Sequence, residues 1–171
     1  MKSLSDQMAV YAAYHRHPVN RAIHFFGIPA IVWSLMVFMA FVPLFSAASM
    51  EVTLAHVAVA ALLIWYLVLD YALGVAAVLL FTVLMVAALH LDRFGTRMAW
   101  WISGSVFVLG WVVQFIGHGV WEKRRPALMD NLTQVFVAPI FLVAETAFAM
   151  GLKSELRDQV HRKMKAHLPK K

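Results

Sequence analysis

The chain has 171 residues, of which 62% are hydrophobic and only 14% charged, with a formal net charge of +6 at pH 7. A water-soluble domain of this length has too little interior to hide so much apolar surface, so the composition excludes a soluble globule and makes lipid the expected solvent. There is no cysteine, which removes disulfides, thiolate nucleophiles and Cys-ligated zinc or iron–sulfur centres, and leaves His, carboxylate and water as the ligands of any metal.

The basic residues flank apolar runs and crowd into the tail, where anionic headgroups account for them; nucleic acid is not an expected partner. The first stretch, 1–21, is polar and mixed, so no cleavable signal peptide is expected. Residues 23–45 are apolar over more than the roughly 20 residues that cross a hydrocarbon core of about 30 Å, and form the first expected span. A Ser/Ala link leads to a second span at 52–69. A third at 72–91 follows so closely, past Asp70, Tyr71 and Gly74, that the two are expected to form a helical hairpin. The fourth, 98–117, opens on Trp100 and Trp101, residues that favour the membrane interface.

The run 133–150 is short and carries Pro139 and Glu145. A carboxylate in hydrocarbon is expensive, which predicts a broken or re-entrant fifth segment. From Gly151 the chain becomes charged, with Lys153, Arg157, Arg162, Lys163 and Lys165 before the terminal Pro169, Lys170 and Lys171, as in an amphipathic helix lying along headgroups. The expected fold is therefore an all-α polytopic membrane bundle, with a membrane-embedded unit at 1–151 and a basic amphipathic tail at 152–171.

Lys and Arg near span ends favour the cytoplasm. Lys2, Arg16 and Arg21, then Lys123, Arg124 and Arg125, then the tail place both termini on that side, with four spans and a re-entrant fifth segment. Arg93 and Arg97 fall on the opposite face. The expected location is a bacterial inner membrane.

This topology gathers two His-bearing segments at one face. In the first, Asn20 and His24 are four apart and share a helical face, and Pro18 fits a first helical turn. His15 would point away from His24 on an unbroken helix, so a break at Pro18 is needed for them to meet. In the second, Gln114, His118 and Glu122 recur at helical spacing, with Gly117 and Gly119 allowing close approach. Imidazole with carboxylate and no thiolate suits iron, manganese or zinc, and two or three His with one carboxylate is a set with which Fe(II) activates oxygen. The same residues also fit simple interfacial hydrogen bonding, with Arg124 or Arg125 neutralising Glu122. Glu145 would pair with an arginine of the 121–125 loop or support a metal-bound histidine. His56 and His90 are expected to bond between helices or at the interface, His161 and His167 to be solvated, and Asp70 to terminate a helix.

The block from Tyr14 to Pro29, the block from Gln114 to Leu128 with His118, Glu122, Pro126 and Ala127, and the later Ala138-Pro139-Ile140-Phe141 to Glu145 together resemble a family of small multi-pass membrane proteins. That family is typified by the yeast 2-hydroxy fatty acid dioxygenase of phytosphingosine breakdown, and the resemblance runs from about Leu4 to Gly151. It implies an Fe(II)-dependent enzyme that shortens long-chain 2-hydroxy fatty acids by one carbon with O2. It further implies His15, His24 and His118 as iron ligands, with Asn20, Gln114 and Glu122 as a fourth ligand or supports, and ranks His17 lower. On this reading Arg16, Arg21 or Arg125 draws in the anionic head while the tail lies among Phe25, Phe26 and Trp33. Three other readings stay open at this point: a metal-free membrane scaffold, a small transporter, and a different lipid-modifying metalloenzyme. The oligomeric state is not legible.

Overall fold

The computed structural model describes residues 3–47 and 50–168; Lys2, Pro169, Lys170 and Lys171, which entered the charge argument, lie outside the described residues. The elements in order are α1 (Leu4–Tyr14), α2 (Pro18–Ala40), β1 (Pro43–Ala47), β2 (Met50–Thr53), α3 (Leu54–Leu69), α4 (Tyr71–His90), α5 (Thr96–Ile116), α6 (Gln134–Ala149) and α7 (Ser154–Met164). A π-helical turn, Gly117–Glu122, prolongs α5. Among the described residues, three helices are long and apolar enough to cross a membrane: Pro18–Ala40, Tyr71–His90 and Thr96–Glu122. The apolar helices α3 and α6 have 16 residues each, about 24 Å at 1.5 Å per residue and short of the roughly 30 Å core.

Local chemistry explains the boundaries. Ser3 caps α1 by accepting from the Asp6 N–H at 3.2 Å, while Asp6 accepts from the Ser3 N–H at 3.1 Å, a reciprocal box that ties down the first turn. Pro18 opens α2, whose interior it could not occupy cheaply. Asp70 ends α3 and caps α4, accepting from the Leu73 N–H at 3.1 Å. The α3–α4 hairpin closes so tightly there that a Cβ on Gly74 would lie 2.7 Å from Leu67 Cα.

Several expectations are corrected. The first span ends at Ala40, because Pro43 cannot continue a helix and disfavours helical backbone at Val42. The chain then forms an antiparallel hairpin with Phe45 opposite Val52 and Ser46 opposite Glu51, so the second span also begins two residues late, at Leu54. The polar amino-terminal stretch contains a helix, α1, with nine buried residues; Ser3 and Asp6 at capping-box spacing were the legible signal. The fifth segment is unbroken, since α6 runs continuously through Pro139. One missing N–H costs a single helical bond, and Val137, Ile140 and Ala144 are fully enclosed around it.

The bundle packs α2 along α5 and against the α3–α4 hairpin, with α6 against α4 and α1 and with α7 on α1. In lipid, association of helices rests on close packing and interhelical hydrogen bonds; the buried Tyr66 hydroxyl donates to the Phe136 carbonyl at 2.5 Å. Both ends of α6 meet the same end of the bundle. Phe136 meets Tyr66 near the end of α3, Glu145 pairs with Arg21 in the first turn of α2, and Lys153 just beyond reaches Asp70 at 2.8 Å. The helix thus lies across that end rather than running the bundle's length.

Candidate metal centre

Three elements each deliver one histidine to this end. His15 caps the C-terminus of α1, where the chain leaves helical geometry at φ −128°, ψ 64°. His24 stands one turn and a half into α2, and His118 lies in the π-helical turn. The break before Pro18 reverses the chain, so the two histidines that an unbroken helix would set apart have ring centroids 4.3 Å apart. His118 stands 4.7 Å from His15 and 5.0 Å from His24. One nitrogen from each ring lies within 4.8 Å of the others, and all three side chains are buried. No other such cluster of three occurs among the described residues.

The hydrogen bonds decide which nitrogens are available. His15 Nδ1 is 2.7 Å from the Tyr11 carbonyl and His24 Nδ1 is 2.8 Å from the Asn20 carbonyl. A carbonyl only accepts, so each Nδ1 carries its proton and Nε2 keeps a free lone pair, the arrangement found in metal-ligating histidines. His118 Nδ1 is buried with no hydrogen-bond partner, an orphan that a cation would satisfy. Burial, and secondarily the proximity of His24, hold the His15 imidazole well below its ordinary pKa, so it stays neutral. Tyr11 stacks on it, centroids 3.9 Å apart and planes 8° from parallel. Three neutral imidazoles without a thiolate fit iron, zinc or another imidazole-loving divalent metal.

The supporting residues divide. Glu122 lies outside the three-histidine cluster and accepts from the His17 N–H at 2.7 Å and from Asn20 Nδ2 at 3.3 Å. It therefore ties the π turn that carries His118 to the start of the helix that carries His24. Asn20 is fully buried, and its Oδ1 faces Gly117 so closely that any Cβ there would collide with it. Gly119 has open space instead. Gln114 is buried and lines the cavity beside the histidines.

The arginines do not pair as expected. Glu145 pairs with Arg21, not with the 121–125 loop. Arg125 pairs with Asp130 at 2.5 Å, and Arg124 lies 3.4 Å over the Tyr14 ring, so neither neutralises Glu122. Tyr14 donates to Asp130 at 2.6 Å; burial first, then this bond, raises its pKa. His17 Nδ1 caps α2 by accepting from the Val19 N–H at 3.2 Å. His56 bonds Thr53 three residues back and His90 bonds the Val86 carbonyl four residues back, so both bonds are local rather than interhelical, and neither residue takes part in the cluster.

A cavity of about 70 Å³ opens beside the three rings. Below His24, residues Ile28, Ile31, Val32 and Leu35 line it at helical spacing along one face of α2, with Trp111 opposite. This stripe replaces the expected Phe25, Phe26 and Trp33, none of which lines the cavity; Phe26 is 81% exposed. Gln134, Pro126 and Ala127 also line the cavity. Gln134 was missed because it closes the polar stretch Asp130-Asn131-Leu132-Thr133, which reads as an ordinary loop before an apolar run.

A polar, ligand-bearing head continuous with an apolar slot is thus built from helices far apart in sequence. Residues 1–150 match the family described as 2-hydroxy-palmitic acid dioxygenase Mpo1-like. The chain belongs to this family. It is similar to the 2-hydroxy-palmitic acid dioxygenase MPO1 of Saccharomyces cerevisiae, with 34% identity over 155 residues that cover 90% of this chain and 85% of the yeast protein. No solved structure matches the chain. Family membership supports an oxidoreductase of fatty acid metabolism, and the buried histidine triad is compatible with a metal-dependent one.

Proposed function

We propose that the protein is an Fe(II)-dependent dioxygenase of long-chain 2-hydroxy fatty acids. The observation that carries the reading is the convergence of His15, His24 and His118, buried, at the mouth of an apolar slot. The yeast relative is a dioxygenase of 2-hydroxy-palmitic acid by name, and that acid has the matching anatomy of a polar head on an apolar tail. The reaction is R–CH(OH)–COOH + O2 → R–COOH + CO2 + H2O. The bond between C1 and C2 breaks, the substrate loses four electrons, and dioxygen takes them.

An Fe(II) ion held by the three imidazoles supplies the one-electron chemistry that lets triplet dioxygen react, and a positive charge near the acid head. The protein's own residues do the rest. The stripe from Ile28 to Leu35 and Trp111 holds the acyl chain by apolar contact and excludes water from the head. The cavity is smaller than the few hundred Å³ that an entire ligand of this size occupies, so the tail continues along α2 toward lipid. Glu122 and Asn20 keep the two histidine-bearing helices in register, and Gln114 borders the head. Arg21, half exposed beside Glu145, and Arg125 at the outer loop give the carboxylate a basic approach.

Four crossings, with α6 lying across the cytoplasmic end and both termini on that side, gather Arg16, Arg21, the 123–125 cluster and the tail on one face and leave Arg93 and Arg97 on the other. In this arrangement 1–151 forms the catalytic unit and 152–171 the basic tail, in a bacterial inner membrane where the lipid phase delivers the substrate.

Elemental analysis of protein purified without oxygen in detergent tests the metal. Stoichiometric iron is expected in the wild type and is expected to be lost in His24→Ala and His118→Ala. Wild-type protein that is metal-free and cannot be reconstituted with Fe(II) would sink the reading and favour a scaffold. With iron present, incubation with 2-hydroxypalmitate and labelled O2 is expected to yield the acid one carbon shorter.

A further inference from the structure

Three buried side-chain polar atoms have no hydrogen-bond partner among the described residues: Asn20 Oδ1, His118 Nδ1 and Gln134 Oε1. The first lies in the crease between α2 and the π turn, against Gly117. The second belongs to the histidine cluster. The third is unexplained, and it is the one that bears on substrate. Gln134 opens α6, is 3% exposed, and lines the same cavity as His15, His24 and His118, with Val135 and Ala138 following it along the apolar wall. A buried acceptor without a donor is unfavourable unless something else supplies the proton.

We propose that Gln134 is the residue that reads the substrate's 2-hydroxyl group, accepting its hydrogen bond through Oε1; this rests on the dioxygenase reading above. The donor inventory of the ligand makes the assignment. At neutral pH the carboxylate of a 2-hydroxy fatty acid only accepts hydrogen bonds and the tail neither donates nor accepts, so the hydroxyl on C2 is the sole donor. An unsubstituted acid has none, and neither has a 2-oxo acid. The lining agrees as well, because Gln134 shares one cavity with the three histidines and with the apolar residues Ile28, Ile31 and Val135, and C2 is the carbon at which a polar head meets an acyl tail. Gln134 is thus a specificity-determining residue that separates hydroxylated from plain fatty acids. A site built around such a bond rejects the analogue that cannot make it, since the buried acceptor is left unpaired.

The test is equilibrium binding without oxygen, so that no turnover intervenes, using 2-hydroxypalmitate, palmitate and 2-oxopalmitate on the full chain in detergent. The wild type is expected to bind the hydroxy acid at least about tenfold more tightly than either analogue. Gln134→Leu keeps the volume and removes the acceptor; it is expected to bring the three affinities within about twofold by weakening the hydroxy acid alone. Gln134→Glu keeps the acceptor but adds a charge facing the carboxylate, and is expected to weaken all three ligands while retaining the preference. Because no hydrogen bond among the described residues ends on Gln134 Oε1, ligand-free Gln134→Leu is expected to keep its metal content and to unfold no earlier than the wild type.

A Gln134→Leu protein that retains the tenfold preference, or a wild type that shows none, overturns the assignment. Turnover by the same wild-type preparation in oxygen is read separately. A wild type that prefers the hydroxy acid, loses that preference in Gln134→Leu, yet never shortens it would sink the dioxygenase reading and leave Gln134 as the reader of the hydroxyl group.

Discussion

The α3–α4 hairpin and the end of the bundle where α1, α2, α5 and α6 meet are both helical, yet they spend polar groups in opposite ways. On the hairpin the outward faces are apolar, with Ile64, Val68, Leu79 and Val83 each more than 60% exposed. Asp70 and His56 sit at its helix ends and serve as caps, and Thr82 is an exposed polar residue within α4. At the other end His15, Asn20, His24, Gln114, His118 and Gln134 are all buried. Burying groups that want hydrogen bonds or a metal is tolerated only where something compensates it. The hairpin is therefore adapted to lipid by composition, and the polar end is where the proposed chemistry belongs.

This contrast can be broken from either side. The largest effect is expected at Glu122, whose carboxylate joins the helix of His24 to the turn of His118. Glu122→Ala is expected to weaken metal binding by about 10- to 100-fold, the usual consequence of losing a support behind the ligands, as read by competition with a chelator. Glu122→Gln, which keeps an acceptor for the His17 N–H, is expected to lose less. Unchanged metal affinity in both would detach the clamp from the site.

On the hairpin side, Gly74→Ala drives a methyl group against the Leu67 backbone. It is expected to destabilise the protein by about 1–3 kcal/mol, measured by thermal unfolding in detergent, with metal content and ligand preference unchanged. A loss of metal at temperatures where this variant is still folded would show that the two regions are coupled.

The smallest effect concerns α7. Lys163 Nζ bonds Asp6 at 2.6 Å, and this bond, with a lesser contribution from Ser3, lowers the Asp6 pKa from 3.8 to about 2. Because the folded value lies below the unfolded one, the contact contributes above about pH 4 and is lost as pH falls toward 2. Asp6→Asn is expected to lower the protection factors of the α7 amides at neutral pH to those the wild type shows only in acid. Protection in α7 that is independent of both pH and the substitution would assign its docking to Val160 and the apolar contacts alone.

Much of the scaffold was legible before any coordinates. Apolar runs longer than a hydrocarbon core, the short turn at Asp70 and the cap role of that residue are local properties, set by side-chain transfer energies and the helical repeat. Both histidine blocks were legible too, as was the need for a break at Pro18, since a helix turns about 100° per residue. The hairpin at Pro43–Ala47 and Met50–Thr53 was not, because its apolar residues read equally well as the end of one span and the start of the next. The continuity of α6 through Pro139 was also hidden: whether one lost helical bond breaks a helix depends on how much packing surrounds it, which no local pattern records.

The sequence by itself determined the solvent, the helical class and the three histidines worth bringing together, because each follows from composition or from residues near one another in the chain. Only the tertiary structure decided that Glu145 meets Arg21, that Glu122 clamps the α2 start to the π turn, and that Gln134 lines the cavity. Those pairings depend on how helices separated by a hundred residues lie against one another, and the packing that sets those angles is a property of the assembled bundle.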